Sequence, residues 1–160
     1  MNAIKRHRKL GFTLIELLVI VAIVGITLSI GLPSLQSAIA SNRLNASAND
    51  MVLALQTARS ESIKQVHFAG VVFNADGSWD AVLVGTPNQV LQNYTAASGV
   101  ILKVNAGIPN AGELIVRYRS DGRVVTGAPI VMEFTVNGSN EKRVLMLQPS
   151  GAVSQVSLEN

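Results

Sequence analysis

Two hydrophobic periods divide this chain. Residues 12–32 read FTLIELLVIVAIVGITLSIGL, an unbroken apolar run whose only charge is Glu16. At about 1.5 Å per residue, a helix of that length crosses a hydrocarbon core of about 30 Å. Residues 34–65 contain no Pro or Gly and resume a helical period, placing Leu44, Ala48, Met51, Val52, Leu55, Ala58, Ile63 and Val66 on one stripe. Between the two halves stand Gly31 and Pro33. A proline inside a helix removes one backbone hydrogen bond and bends the rod, so Gly31 and Pro33 are expected to mark a kink in one long helix. A helix continuous over 12–65 is about 80 Å long.

After Gln65 the period shortens to two. Segments 66–73, 78–85, 99–105, 113–120, 130–136, 142–148 and 152–158 read as strands, separated by the turn signals Asn74-Ala75-Asp76-Gly77, Asp121-Gly122, Asn137-Gly138 and Pro149-Ser150-Gly151. Within 130–136, Ile130, Met132, Phe134 and Val136 alternate with Val131, Glu133 and Thr135, as in a strand with one packed and one wet face. The pattern predicts an antiparallel meander, with 86–98 as an irregular loop. The fold class is α+β: a long kinked N-terminal α-helix, membrane-spanning in its first half, packed on a C-terminal antiparallel β-sheet domain. The organisation is 1–11, a basic leader; 12–32, the apolar span; 33–65, an amphipathic continuation; and 66–160, a β-rich domain.

Charge alters this picture at one point. The formal charge of +3 and basic pI suggest a polyanion partner, yet Lys5, Arg6, Arg8 and Lys9 lie in the leader, and the rest carries nine basic against ten acidic residues. The basicity belongs to the leader. Placed directly before the span, it holds the N-terminus in the cytoplasm and sends the domain outside. The absence of cysteine excludes a disulfide scaffold, a thiol nucleophile and a Cys-rich zinc site.

A secretory signal peptide and a plain membrane anchor share the basic start and apolar run, but the run is long for the former and neither explains a carboxylate. An acid in a hydrocarbon core is strongly disfavoured and marks a functional site. No Lys or Arg occurs in the span to neutralise Glu16. Cleavage between Gly11 and Phe12 creates an α-amino group four residues away, on the same helical face, and in a bundle that amine reaches the Glu16 of a neighbour.

Gly11-Phe12-Thr13-Leu14-Ile15-Glu16-Leu17 resembles the processing signal of type IV pilins and type II secretion pseudopilins. The resemblance implies a type IV pilin-like fold, cleavage after Gly11 by a prepilin peptidase/N-methyltransferase, N-methylation of Phe12, and a role in assembly for Glu16 with Thr13. It implies a single-pass inner-membrane protein, leader cytoplasmic and C-terminal domain periplasmic, whose partners are other pilins or pseudopilins met through the N-terminal helix. Asn42-Arg43-Leu44 and Ala58-Arg59-Ser60-Glu61-Ser62-Ile63 are similar to FimT/FimU minor pilins and GspH-type minor pseudopilins. The expected function is that of a minor type IV pilin priming assembly or contributing to a tip; the alternative is a minor pseudopilin of a type II secretion system. Arg59 and Glu61 also read simply as helix residues touching the sheet.

No catalytic set appears, and the expectation is a non-enzyme without cofactor or metal. His67 reads as a surface or packed histidine, Asp76 and Asp80 flank a hairpin without calcium-loop spacing, and Trp79 reads as core. Arg117, Arg119, Arg123, Lys142 and Arg143 gather basic charge in segments expected to be neighbouring strands and turns. Some FimT-type pilins bind DNA, so nucleic acid is a further candidate partner through phosphate contacts. Against it, the C-terminal region reads Ser150-Gly151-Ala152-Val153-Ser154-Gln155 and lacks the family's arginine-containing motif, while Glu113, Glu133 and Glu141 offer cross-strand partners.

Overall fold

A computed structural model describes residues 12–156; Gly11, the basic leader and residues 157–160 lie outside the described residues. The chain forms two compact units, Met1–Ser37 and Ala38–Asn160.

The first unit is the N-terminal part of α1, the helix Leu14–Lys64. Pro33 lies inside α1, so it does not end the helix. The apolar side chains of this unit are exposed. Its hydroxyls are satisfied locally: Thr27 Oγ1 donates to the Ile23 carbonyl at 2.8 Å and Ser29 Oγ to that of Ile26 at 2.7 Å. That arrangement suits a lipid surrounding, which offers no competing hydrogen bonds.

In the second unit α1 continues beside eight strands: β1 (Ala69–Phe73), β2 (Trp79–Leu83), β3 (Gln89–Tyr94), β4 (Val100–Val104), β5 (Leu114–Tyr118), β6 (Ile130–Val136), β7 (Lys142–Leu147) and β8 (Val153–Val156). They form two four-stranded antiparallel sheets, ordered β3-β2-β1-β5 and β4-β6-β7-β8. The chain therefore leaves the first sheet after β3, returns as β5 and departs again, and the single meander expected from turn spacing is not formed. Segment 86–98 is not a loop throughout, because it contains β3. Gln89, Val90, Gln92 and Asn93 are exposed on this edge strand, which leaves no buried alternation to read; pairing with β2 makes it a strand.

The helix stripe also differs from the sequence reading. Leu44, Ala48, Met51, Leu55 and Ala58 are buried as expected, and Ser47, Ala54 and Ser62 join them. Small residues let the helix approach the strands closely, so burial follows size as well as apolarity. Ile63 and Val66 are exposed instead. They fall where α1 ends and the chain turns toward β1. Trp79 and Phe134 meet edge to face, centroids 6.2 Å apart, joining the first sheet to the second in the core.

Candidate assembly sites

The helix start supplies the first site. Thr13 N and Thr13 Oγ1 donate to Glu16 Oε2 at 3.0 and 3.1 Å, and Glu16 N donates to Thr13 Oγ1 at 3.3 Å. This reciprocal arrangement is a capping box: Thr13 precedes the first helical residue, and the acid three positions on closes the free N–H groups of the opening turn. The Thr-x-x-Glu spacing is present in the sequence, although charge alone does not point to it. Among the described residues the donors to Glu16 are uncharged and meet Oε2, so the cap hydrogen-bonds the acid without neutralising it. The demand for a cation therefore persists, while Thr13 now has a concrete task, fixing the direction of the carboxylate.

In the second unit α1 is tied to both sheets. Ala97 N donates to Ser47 Oγ at 2.9 Å, the Thr57 and Tyr94 hydroxyls meet at 3.1 Å, and Arg143 Nε and Nη2 donate to Asn45 Oδ1 and Ser41 Oγ at 2.7 and 3.1 Å. Arg59 is clasped between two turns. Its Nη1 and Nη2 each donate over 3.1 Å, to the carbonyls of Gly151 and Ser150. Its Nε lies 2.9 Å from where a side chain on Gly151 would begin and 3.2 Å from the equivalent point on Gly122. Both glycines have φ in the left-handed region, +84° and +75°. The Ala58-Arg59-Ser60-Glu61 segment thus holds the β7–β8 turn and the turn after β5 against the helix. Glu61 accepts from Gln65 Nε2 at 2.9 Å and Lys64 Nζ at 2.9 Å at the C-terminal end of α1, which holds its carboxyl below the ordinary value.

The five basic residues do not meet as neighbouring strands. β5 closes the first sheet, whereas β7 lies within the second. Arg117 stacks over the Phe68 ring at 4.1 Å, and Arg119 and Arg123 flank a surface hollow of about 340 Å³ beside Pro149 and Ser150. Arg143 is engaged with Ser41 and Asn45, while the turn holding Arg123 touches Ile63 through Gly122. Positions 45 and 63 are about 27 Å apart along a helix. Lys142 is exposed on β7. The cross-strand pairing of Arg117 with Glu133 is likewise absent, because Glu133 faces Lys103 and Val144 in the second sheet.

His67 is exposed, two residues ahead of β1, with Nδ1 3.1 Å from the Phe68 carbonyl. A hollow of about 450 Å³ is lined by Val104, Ile108, Glu113, Leu114 and Ile130 among others. Among the described residues no group of three His, Asp or Glu side chains is placed to hold a metal.

Comparison with known proteins agrees with both halves. The family described as "Prokaryotic N-terminal methylation motif" matches residues 6–32, and that described as "Type II transport protein GspH" matches residues 47–151. A "Fimbrial protein" of Dichelobacter nodosus is 29% identical over 143 residues, covering 81% of this chain and 82% of the relative. Among solved structures, the type IV minor pilin FimU of Pseudomonas aeruginosa superposes with TM-score 0.61 at 17% identity, covering 73% of this chain and 90% of that one. Escherichia coli GspH does so with TM-score 0.59 at 18% identity, over 73% and 89%. The minor pseudopilin EpsH of Vibrio cholerae gives 0.52 at 17%, over 70% and 96%. At these identities the likeness speaks to fold. The helix-on-sheets architecture, the capped apolar helix behind a methylation motif and a family match covering more than half of the 160 residues converge: the chain is a membrane-anchored pilin-type protein, and it belongs to the GspH family of minor pilins and pseudopilins.

Proposed function

We propose that the chain is a minor type IV pilin, cleaved between Gly11 and Phe12 on the cytoplasmic face of the inner membrane, N-methylated at Phe12, and packed into a pilus through its N-terminal helix, where it primes assembly or forms part of the tip. The supporting observation is the Thr13–Glu16 cap at the head of an uninterrupted apolar helix. It presents a carboxylate, directed but not neutralised, four residues from the amine that cleavage releases. Pairing with a neighbour's amine then makes membrane exit favourable only within the bundle. Gly31 and Pro33 lie inside α1, where they let the helix bend as subunits pack. The leader stays cytoplasmic and residues 66–160 become periplasmic, then part of the filament.

Glu16→Ala is expected to leave insertion and cleavage intact while reducing incorporation into sheared filaments at least about fivefold, as loss of a desolvated charge contact does. Mass spectrometry of the mature chain reads the processing: a start at methylated Phe12 is expected. A mature start elsewhere, or undiminished incorporation of Glu16→Ala, sinks the proposal.

The GspH family match favours a second reading, a minor pseudopilin of a type II secretion system. Deletion separates the two, since a pilin's loss removes surface filaments and a pseudopilin's loss retains secreted proteins in the periplasm. The arginine cluster Arg117, Arg119 and Arg123 supports a third, DNA binding, to which Lys142 and Arg143 belong less readily. A salt-dependent gel shift tests it, and no retardation at low salt removes it.

A further inference from the structure

Helix α1 ends in a Schellman closure: Val66 N donates to the Ile63 carbonyl at 3.4 Å and His67 N to that of Ser62 at 3.1 Å. Val66 occupies the left-handed position of this motif, with φ of 51°. Glycine normally stands there, because a branched Cβ crowds its own backbone. A strained apolar residue is usually compensated by burial, yet Val66 is 76% exposed. Neither local conformation nor packing among the described residues accounts for it.

Its surroundings are apolar as well. Ile63, Phe68 and Val125 are all exposed, and with Val66 they make up half of the exposed large apolar residues among the described residues of the second unit, the others being Ile39, Leu53, Val90 and Ile108. The four lie on linked segments: Val66 N donates to the Ile63 carbonyl, Ile63 abuts the Gly122 turn, Phe68, two residues after Val66, lies beneath Arg117, and Val125 N donates to the Arg117 carbonyl at 2.9 Å. Among the described residues of these segments stand Arg117, Arg119 and Arg123 and the acid Asp121, whose Oδ1 accepts from Arg123 N at 3.0 Å. Nearby Glu61 is matched by Lys64.

We propose that this corner is a docking surface for a neighbouring subunit of the filament, one that presents an apolar centre rimmed by carboxylates. The proposal rests on the assembly function above and adds the second contact such a subunit needs beyond its helix. An apolar centre with arginines at its rim is the composition of a protein interface. A phosphate backbone gains nothing from Ile63, Val66 or Phe68, so nucleic acid explains the arginines but not the strained valine. The excess positive charge selects an acidic partner and orients it on approach.

Val66→Gly and Val66→Asn both accept the left-handed backbone while removing the apolar tip. In the full-length chain in detergent, Val66→Gly is expected to raise the unfolding midpoint by about 3 to 5 °C. In cells, both variants are expected to be processed to Phe12 normally and to enter filaments roughly fivefold less than wild type. Arg119→Glu with Arg123→Glu is expected to lower incorporation similarly. Undiminished incorporation of both Val66 variants overturns the proposal. So does a loss confined to the arginine variant, which identifies a polyanion contact instead. Failure of the wild-type chain to enter any filament is a different result: it removes the assembly function itself, whatever the Val66 variants do.

Discussion

Replacing Gly151 by alanine tests how the two sheets are held to the helix, and Gly77 provides the control. Both glycines have left-handed φ, +84° and +83°. A Cβ at Gly77 meets nothing within 4 Å, so Gly77→Ala pays only backbone strain, about 1 to 2 kcal/mol. A Cβ at Gly151 runs into the Gly122 carbonyl oxygen and lies 2.9 Å from Arg59 Nε and 3.1 Å from Cζ. The backbone carbonyl cannot swing aside as a side chain does, and overpacking of this kind costs a further 1 to 3 kcal/mol or so. Displacing Arg59 weakens its bonds to the Ser150 and Gly151 carbonyls, which contribute roughly 1 kcal/mol once their partial exposure is allowed for. Gly151→Ala is therefore expected to cost about 2 kcal/mol more than Gly77→Ala. Trp79, the single tryptophan and fully buried, reports unfolding of the second unit by fluorescence in the full-length chain. At about 3 to 5 °C per kcal/mol, the Gly151 variant melts some 6 to 10 °C below the Gly77 variant. Adding Arg59→Ala to Gly151→Ala is expected to cost less than the two separate losses combined, because the clash and the clasp share one side chain. Equal melting of the two glycine variants, or strict additivity with Arg59→Ala, refutes the clasp.

Gly70→Ala places a Cβ against the Val116 carbonyl oxygen and 2.8 Å from Leu114 Cδ1, inside the β1–β5 pairing; a loss of about 3 kcal/mol or more is expected in urea unfolding, and a loss under about 1 kcal/mol contradicts the close approach of those strands. Asp76 Oδ1 accepts from Ser78 Oγ at 2.6 Å and Ser78 N at 2.9 Å, which holds its carboxyl below the ordinary aspartate value. A depressed folded value means the stabilisation is complete above the unfolded pKa and is lost as pH falls through the folded one. The stability gap between wild type and Asp76→Ala is thus expected to be full at neutral pH and to narrow below the ordinary aspartate range; a gap independent of pH counts against it.

The N-terminal half was legible because its information is one-dimensional. An apolar run of membrane-spanning length, a basic leader and one misplaced acid need no partner elsewhere in the chain to be read, and even the Thr13–Glu16 cap follows from a spacing of three. The strongly alternating strand Ile130–Val136 matched its expected bounds, and the Asp76-Gly77 hairpin turn formed where its residues predicted. For the same reason the α+β class and the pilin-like character were available from residues alone.

Tertiary structure decided what depends on who lies beside whom. Periodicity cannot tell one meander from two sheets, since a strand's alternation is the same whichever neighbour it takes; β1 chose β5 and β4 chose β6 across long stretches of chain. Strand β3 exists only through its pairing with β2, and basic residues that seemed adjacent were assigned to different sheets. Arg59 was read as a helix residue touching the sheet, but that its contact is a clasp follows from two glycine turns remote in sequence that close around it. Val66, read as core, became an exposed and strained corner because the helix ends two residues before it. Hydrophobic pattern fixes which face of an element is buried, whereas the ends of elements and the partners of edges are set by the packing of the whole chain.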